Sequence, residues 1–235
     1  MRYEREIIDA AMNRRIELED SICYGCTECG RCCREIHIML NAYDLYRLAK
    51  HFKVSMFDFI MQYCDYYRGN DSNLPVVAIK MQDGCCPFLK DNKCSVQSVK
   101  PFVCASYPIG RGYDEENEQV FYFFQDITCG FPYRKLTVKE WIYGDRDVAY
   151  EEEVYKLWNR MIISAAKFVN RFSEDFKRTL CGMFFEIFYC GYSTEKDFLM
   201  QLKEIVGETE KLIKEASDLY EAANGQEAAD EDSLQ

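Results

Sequence analysis

Four cysteines fall within eight residues in the stretch Cys26-Thr-Glu-Cys29-Gly-Arg-Cys32-Cys33, and a fifth, Cys23, stands one three-residue step upstream. An ordinary hydrophobic core has no use for such crowding. Thiolates packed this closely repel one another and lose hydration unless a cation or an inorganic cluster sits between them and stabilises the ionised form. The stretch therefore predicts a metal centre, and the rest of the chain is read for the ligands that complete it.

At 235 residues with 48% hydrophobic content, 16 Phe and 17 Tyr, the chain can build a sizeable core and does not need cysteines merely for lack of one. No apolar run approaches the roughly 20 residues that span a bilayer, and the opening Met-Arg-Tyr-Glu-Arg-Glu lacks the apolar stretch of a signal peptide. The expected location is the cytoplasm, where thiols stay reduced. There, 13 Cys indicate metal binding or redox chemistry rather than a disulfide scaffold. A net charge of -11, from 40 acidic and 29 basic residues, disfavours a nucleic-acid partner.

Along the chain, the spacing of Tyr3, Ile7, Ile8, Ala11 and Ile16 predicts an amphipathic helix over about 3–19. After Cys33 a short extended piece leads to Asn41, a cap for a helix that turns Leu45, Leu48 and Ala49 inward. Ser55 with Asp58 opens a second helix whose face includes Met56, Ile60, Tyr63, Cys64 and Tyr67 and which runs to Gly69. Pro75 to Met81 and Gln119 to Gln125 read as strands, and the glycine-containing acidic segment from Gly110 reads as a solvated turn before the second of them. From about Val138 the pattern becomes helical, with 3.6-residue periods over Val154 to Phe172 and Phe198 to Leu219. Leu180 to Cys190 between them is apolar nearly all round. Thr194 with Asp197 marks the start of the last helix.

A Cys-x2-Cys turn brings two sulfurs to one ion, and a pair from elsewhere closes a tetrahedron. The triplet Cys26-x2-Cys29-x2-Cys32 has the spacing with which a ferredoxin loop wraps a cubane cluster. Adjacent Cys32 and Cys33 project in different directions and favour different irons or neighbouring centres. Downstream, Cys85, Cys86, Cys94, Cys104 and Cys129 are the remaining candidates.

These residues also carry a resemblance. Cys26-x2-Cys29-Gly-x-Cys32-Cys33-Arg, the helix of Asp44, Cys86-Pro-Phe-Leu, Asp91-Asn-Lys-Cys94-Ser-Val, Lys100-Pro-x2-Cys104-x-Ser-Tyr-Pro and Cys129-Gly together resemble the CxxCxxCC, or YkgJ-like, cysteine-cluster family over roughly residues 23–133. That family is described as zinc- or iron-chelating and includes the flagellin lysine N-methylases. The resemblance implies the metal ligands Cys26, Cys29, Cys32, Cys33, Cys86, Cys94, Cys104 and Cys129. It also admits S-adenosylmethionine as a cofactor and a protein or peptide as substrate. Cys23 and Cys85 are extra to the pattern. Lys100 stands where the family usually has Arg, and Ala105 where an Arg is frequent.

Other chemistries lack their signatures. There is no Cys-x3-Cys-x2-Cys triplet of radical S-adenosylmethionine enzymes and no Gly-x-Gly-x2-Gly after a strand. Only His37 and His51 are present, so a Cys2His2 finger is excluded by spacing. Competing readings are buried thiols without metal for the matched cysteines, core packing for Cys64, Cys181 and Cys190, and a surface or outer-sphere imidazole for His37. Arg31 and Arg34 either offset thiolate charge or are solvated. No residue carries a general acid, base or nucleophile signature, so the catalytic residues are unknown at this level.

The expectation is an α+β protein. A cysteine-rich, metal-centred loop core with short helices and a few antiparallel strands occupies 1–137, a helical three-helix region 138–224 packs on it, and an acidic disordered tail follows at 225–235. Functionally it reads as a cytoplasmic protein, with no membrane partner, holding an iron–sulfur cluster (4Fe-4S favoured) or other thiolate-bound metal for redox chemistry or protein modification. The alternative is a non-catalytic module stabilised by zinc.

Overall fold

The structure is a computed structural model, and it describes residues 13–27, 29–34, 36–125, 130, 134–144 and 146–232, with side chains to residue 222. Most of the helix predicted over 3–19, and the candidate ligand Cys129, lie outside the described residues. The end of that helix is corrected: residues 13–19 hold a turn and a short strand, β1 (Arg15–Ile16).

The chain is α+β. Asn41 accepts from the Asp44 N–H at 2.8 Å and starts α1 (Ala42–Phe52), which buries Leu45, Leu48 and Ala49 as its apolar spacing requires. Ser55 accepts from the Asp58 N–H and starts α2 (Met56–Tyr63). This helix stops six residues short of Gly69, because the next five residues, β4 (Cys64–Arg68), pair antiparallel with β5 (Pro75–Ile79). Sheet hydrogen bonding to a neighbouring strand overrides the helical spacing at Cys64 and Tyr67. β3 (Met39–Leu40) pairs with the other edge of β5.

The second correction concerns the glycine segment. Residues expected as a solvated turn form β8 (Ile109–Asp114), which pairs along its whole length with β9 (Gln119–Phe124); β1 pairs with the other edge of β9. The glycines serve close approach: a Cβ on Gly110 would lie 2.3 Å from the Phe123 ring, and one on Gly112 would lie 2.2 Å from the Phe121 ring. Only the residues between the two strands form the turn.

β2 (Ser21–Cys23) pairs with β10 (Lys135–Thr137), and β6 (Leu89–Lys90) with β7 (Lys93–Cys94). Two short helices follow from local signals: α3 (Phe102–Ser106) and α4 (Val138–Ile142), the latter closed by a Thr137–Glu140 capping box. The long helices are α5 (Val148–Val169), α6 (Glu174–Phe185), continued by a π-helical turn at Glu186–Cys190, and α7 (Phe198–Asp232). Asp197, not Thr194, caps α7 by accepting from the Met200 N–H at 2.9 Å. The stretch from Leu180 to Cys190 is buried on one face only: Leu180, Phe184, Phe188 and Tyr189 are buried, while Gly182 and Glu186 are exposed.

Two cores result. The larger combines α1, α2 and β5 with α5, α6, the π turn and α7, so Leu45, Phe59 and Val77 share it with Trp158, Phe184, Phe198 and Leu202. The smaller lies between β2, α3, the β8–β9 sheet and α4, around Ile22, Ile109, Tyr122 and Val138. Among the described residues, no helix is long and apolar enough to cross a membrane.

Candidate metal centre

Four separate pieces of chain deliver the cysteines. The first is the loop after β2, anchored where the Tyr24 N–H donates to Arg134 O at 3.0 Å, and closed by a 3-10 turn at Arg31–Cys33. The second is the turn bearing Cys85 and Cys86, tied to the first by the Cys86 N–H donating to Cys33 O at 2.8 Å. The third is the β6–β7 hairpin, whose last residue is Cys94. The fourth is α3, which carries Cys104 and is held at its start by Asp44, whose Oδ1 accepts from the Phe102 N–H at 2.8 Å.

These pieces enclose a cleft of about 590 Å³, lined by Cys26, Cys29, Cys32, Cys33, Cys94 and Cys104. Cys86 is buried and does not line the cleft, but it is close enough to Cys94 and Cys32 to feel their charge. The Cys32 and Cys33 sulfurs are 3.9 Å apart. Their side-chain hydrogen bond, the largest influence on each, holds the Cys32 thiol down to about 6 and pushes Cys33 well up; the Lys100 charge also favours ionised Cys32. Burial pushes Cys86 and Cys104 up. One thiolate shared between two sulfurs, with further thiols kept neutral by burial, is the pattern expected of ligands that ionise when a cation arrives.

Beside the thiols the cleft has a cationic and aromatic lining, of which Arg47, Trp141, Tyr143 and Arg146 were not legible in the sequence. It contains Arg47, Lys93, Lys100 and Arg146, with Tyr24, Tyr107, Trp141 and Tyr143, and no carboxylate among the described lining residues. Arg47 donates to Lys100 O and Ser98 O, and Arg146 pairs with buried Glu151 at 3.1 Å. Trp141 donates through Nε1 to Ser106 O and Tyr107 O and meets Tyr24 edge-on at 4.9 Å. Trp141, Tyr143 and Arg146 follow a capping box in a region whose only sequence signal is helical, so nothing local marked them as cleft residues.

Among the described residues, no three His, Cys, Asp or Glu side chains stand close enough together to hold an ion as they are placed. The donor set is nevertheless chemically apt. It is all sulfur, it faces cations that offset thiolate charge, and such sets select zinc or iron over hard cations.

The other candidates are dispersed. Cys23 is exposed on β2, and Cys85 accepts from Arg34 Nη1 at 3.0 Å, the same guanidinium reaching Asn92. Cys64 is in the larger core and Cys190 packs against it, while Cys181 is half-buried on α6. His37 pairs with the Tyr67 hydroxyl at 2.6 Å and does not line the cleft. No disulfide joins any of the described cysteines.

No curated protein and no solved structure matches the chain. Residues 25–129, which carry every thiol of the cleft, match the model of the CxxCxxCC family, described as a "putative zinc- or iron-chelating domain".

Proposed function

We propose that the cleft houses an iron–sulfur or related thiolate-bound metal centre drawn from Cys26, Cys29, Cys32, Cys33, Cys86, Cys94, Cys104 and Cys129, and that redox chemistry or modification of a substrate takes place beside it. The observation that carries this reading is the convergence of cysteines from separate chain segments on one cleft of about 590 Å³. A structural zinc site is closed by four ligands, whereas this cleft brings more thiols than one ion uses and leaves open volume next to them. When bound, such a centre supplies electron transfer or Lewis acidity. The chain's own contribution is charge and shape: Lys100 favours ionised Cys32, Arg47 is fixed by two backbone carbonyls, and Trp141 and Tyr24 wall the volume beside the thiols.

Protein lysine methylation, with S-adenosylmethionine as methyl donor, draws its support from the family resemblance. It is tested by incubating the protein with lysine peptides and the methyl donor and weighing the products. For the metal, protein purified without oxygen should be brown, contain iron and acid-labile sulfide, and bleach on reduction. A colourless protein with stoichiometric zinc would instead establish the alternative, a zinc-stabilised interaction module.

A further inference from the structure

Residues 1–12 lie upstream of β1, and the register of β1 fixes where they meet the fold. Arg15 stands opposite Phe123, and the Phe124 N–H donates to Arg14 O at 3.2 Å, so the chain followed back from β1 runs antiparallel to β9 toward Gln125. Phe123 and Gln125 both line a second cavity, of about 400 Å³. The segment 1–12 is therefore attached at the rim of that cavity. The cavity is an apolar groove: Met39, Val103, Trp158 and Ile162 line it, and Met39 and Val103 are 58% and 42% exposed. The two charged side chains in its described lining, Asp44 and Arg111, offset one another. The segment supplies a matching face. Tyr3, Ile7, Ile8 and Ala11 fall on one helical stripe, with Arg2, Arg5 and Asp9 on the opposite side. Twelve helical residues span about 18 Å and are too few to hold a helix alone in water, so such a stripe requires an apolar surface to pack on.

We propose that residues 1–12 dock as an amphipathic helix across this groove, with Ile7 and Ile8 seated against Met39, Val103 and Ile162. The choice of occupant follows from attachment and from charge. A segment tethered at the rim meets the groove at an effective concentration on the order of millimolar, above that of a free partner. An apolar stripe suits a lining whose charges cancel, whereas a charged peptide would find no counter-charge there. The docked helix also braces the thiol site, because α3 lies between the two: Val103 lines the groove and Cys104 lines the cleft. The inference stands independently of which metal the cleft holds.

The test is photo-cross-linking of the full-length protein carrying p-benzoyl-phenylalanine in place of Ile8, with the linked peptides mapped by mass spectrometry. The cross-link should form within one chain and map to Met39, Val103 or Ile162. The same group in place of Asp9, on the charged side of the helix, should not reach these residues. Val103→Glu, at a position exposed enough to tolerate the change, should reduce the cross-link from position 8 about tenfold, because it sets a carboxylate against the apolar stripe. Should Val103→Glu fail to fold, Met39→Glu makes the same test at a more exposed position. The proposal is overturned if the cross-links map outside the groove, if they join two copies of the chain or a different protein, or if none form. It is equally overturned if position 9 links to the groove as well as position 8 does, or if the folded glutamate variant links like the wild type.

Discussion

Asp44 in α1 accepts a hydrogen bond from the backbone N–H of Phe102 at 2.8 Å, joining positions 58 residues apart. Its carboxylate thereby caps α3, whose five residues include Cys104, and sets one wall of the cysteine cleft from a helix that contributes no thiol itself. Asp44 is 4% exposed, and burial, opposed by that same hydrogen bond and by the Arg47 and Arg111 charges, pushes its carboxyl up to about 6.

Asp44→Ala should therefore destabilise the protein by about 1–3 kcal/mol, the cost of leaving the Phe102 N–H without its acceptor, and should lower metal retention. Asp44→Asn keeps an acceptor and should cost less. The pH dependence follows from the raised pKa. A carboxyl that holds its proton more tightly in the folded than in the unfolded chain favours folding while protonated, and this contribution is lost as pH rises from about 4 through about 6. The loss is on the order of 3 kcal/mol. Urea unfolding at several pH values should show it in the wild type and not in Asp44→Asn; parallel curves for the two proteins would contradict the assignment.

Cys29 lines the cleft, whereas Cys181 sits on α6 away from it. Cys29→Ser should strip metal and lower the melting temperature, because metal binding supplies folding free energy. Cys181→Ser should do neither. Elemental analysis and thermal unfolding of the two variants decide the point, and equal metal loss in both would refute the placement of the site.

Lys100 lowers the thiols of Cys32 and Cys104, second to the Cys33 hydrogen bond in the first case and against burial in the second. Metal ligands must be deprotonated, so Lys100→Met, which raises both thiols, should move the pH of half-release upward by about half a unit. Chelator competition as a function of pH measures it. An unchanged midpoint would mean that the ammonium is too solvated to matter.

Gly130 has φ +98, and a Cβ there would stand 2.2 Å from the ring of Tyr24, which packs edge-on against Trp141 in the cleft wall. Gly130→Ala combines a disfavoured backbone conformation with that clash and should cost about 1–3 kcal/mol. Near-ultraviolet circular dichroism should register the displaced tyrosine even where the variant stays folded.

The sequence by itself determined what is local. Asn41 and Ser55 capped helices as their chemistry requires, the β-branched and aromatic run from Gln119 became a strand, and the long helical periods became α5 and α7. The Cys-x2-Cys spacing named Cys26, Cys29 and Cys32, because short loops can place sulfurs near one another without help from the rest of the chain, while the more distant thiols were named by the family resemblance. Tertiary structure decided what depends on partners. Cys64 to Arg68 left the helical pattern because β5 offered an antiparallel partner, and the segment from Gly110 became a strand because its glycines admit the rings of Phe121 and Phe123. The cleft also brings together Arg47 and Arg146 across almost a hundred residues, and no local period encodes a contact at that separation. Arg111 reads in sequence as one more surface cation in an acidic turn. Only the packing of α3 and α5 against β8 reveals that it is held between two rings.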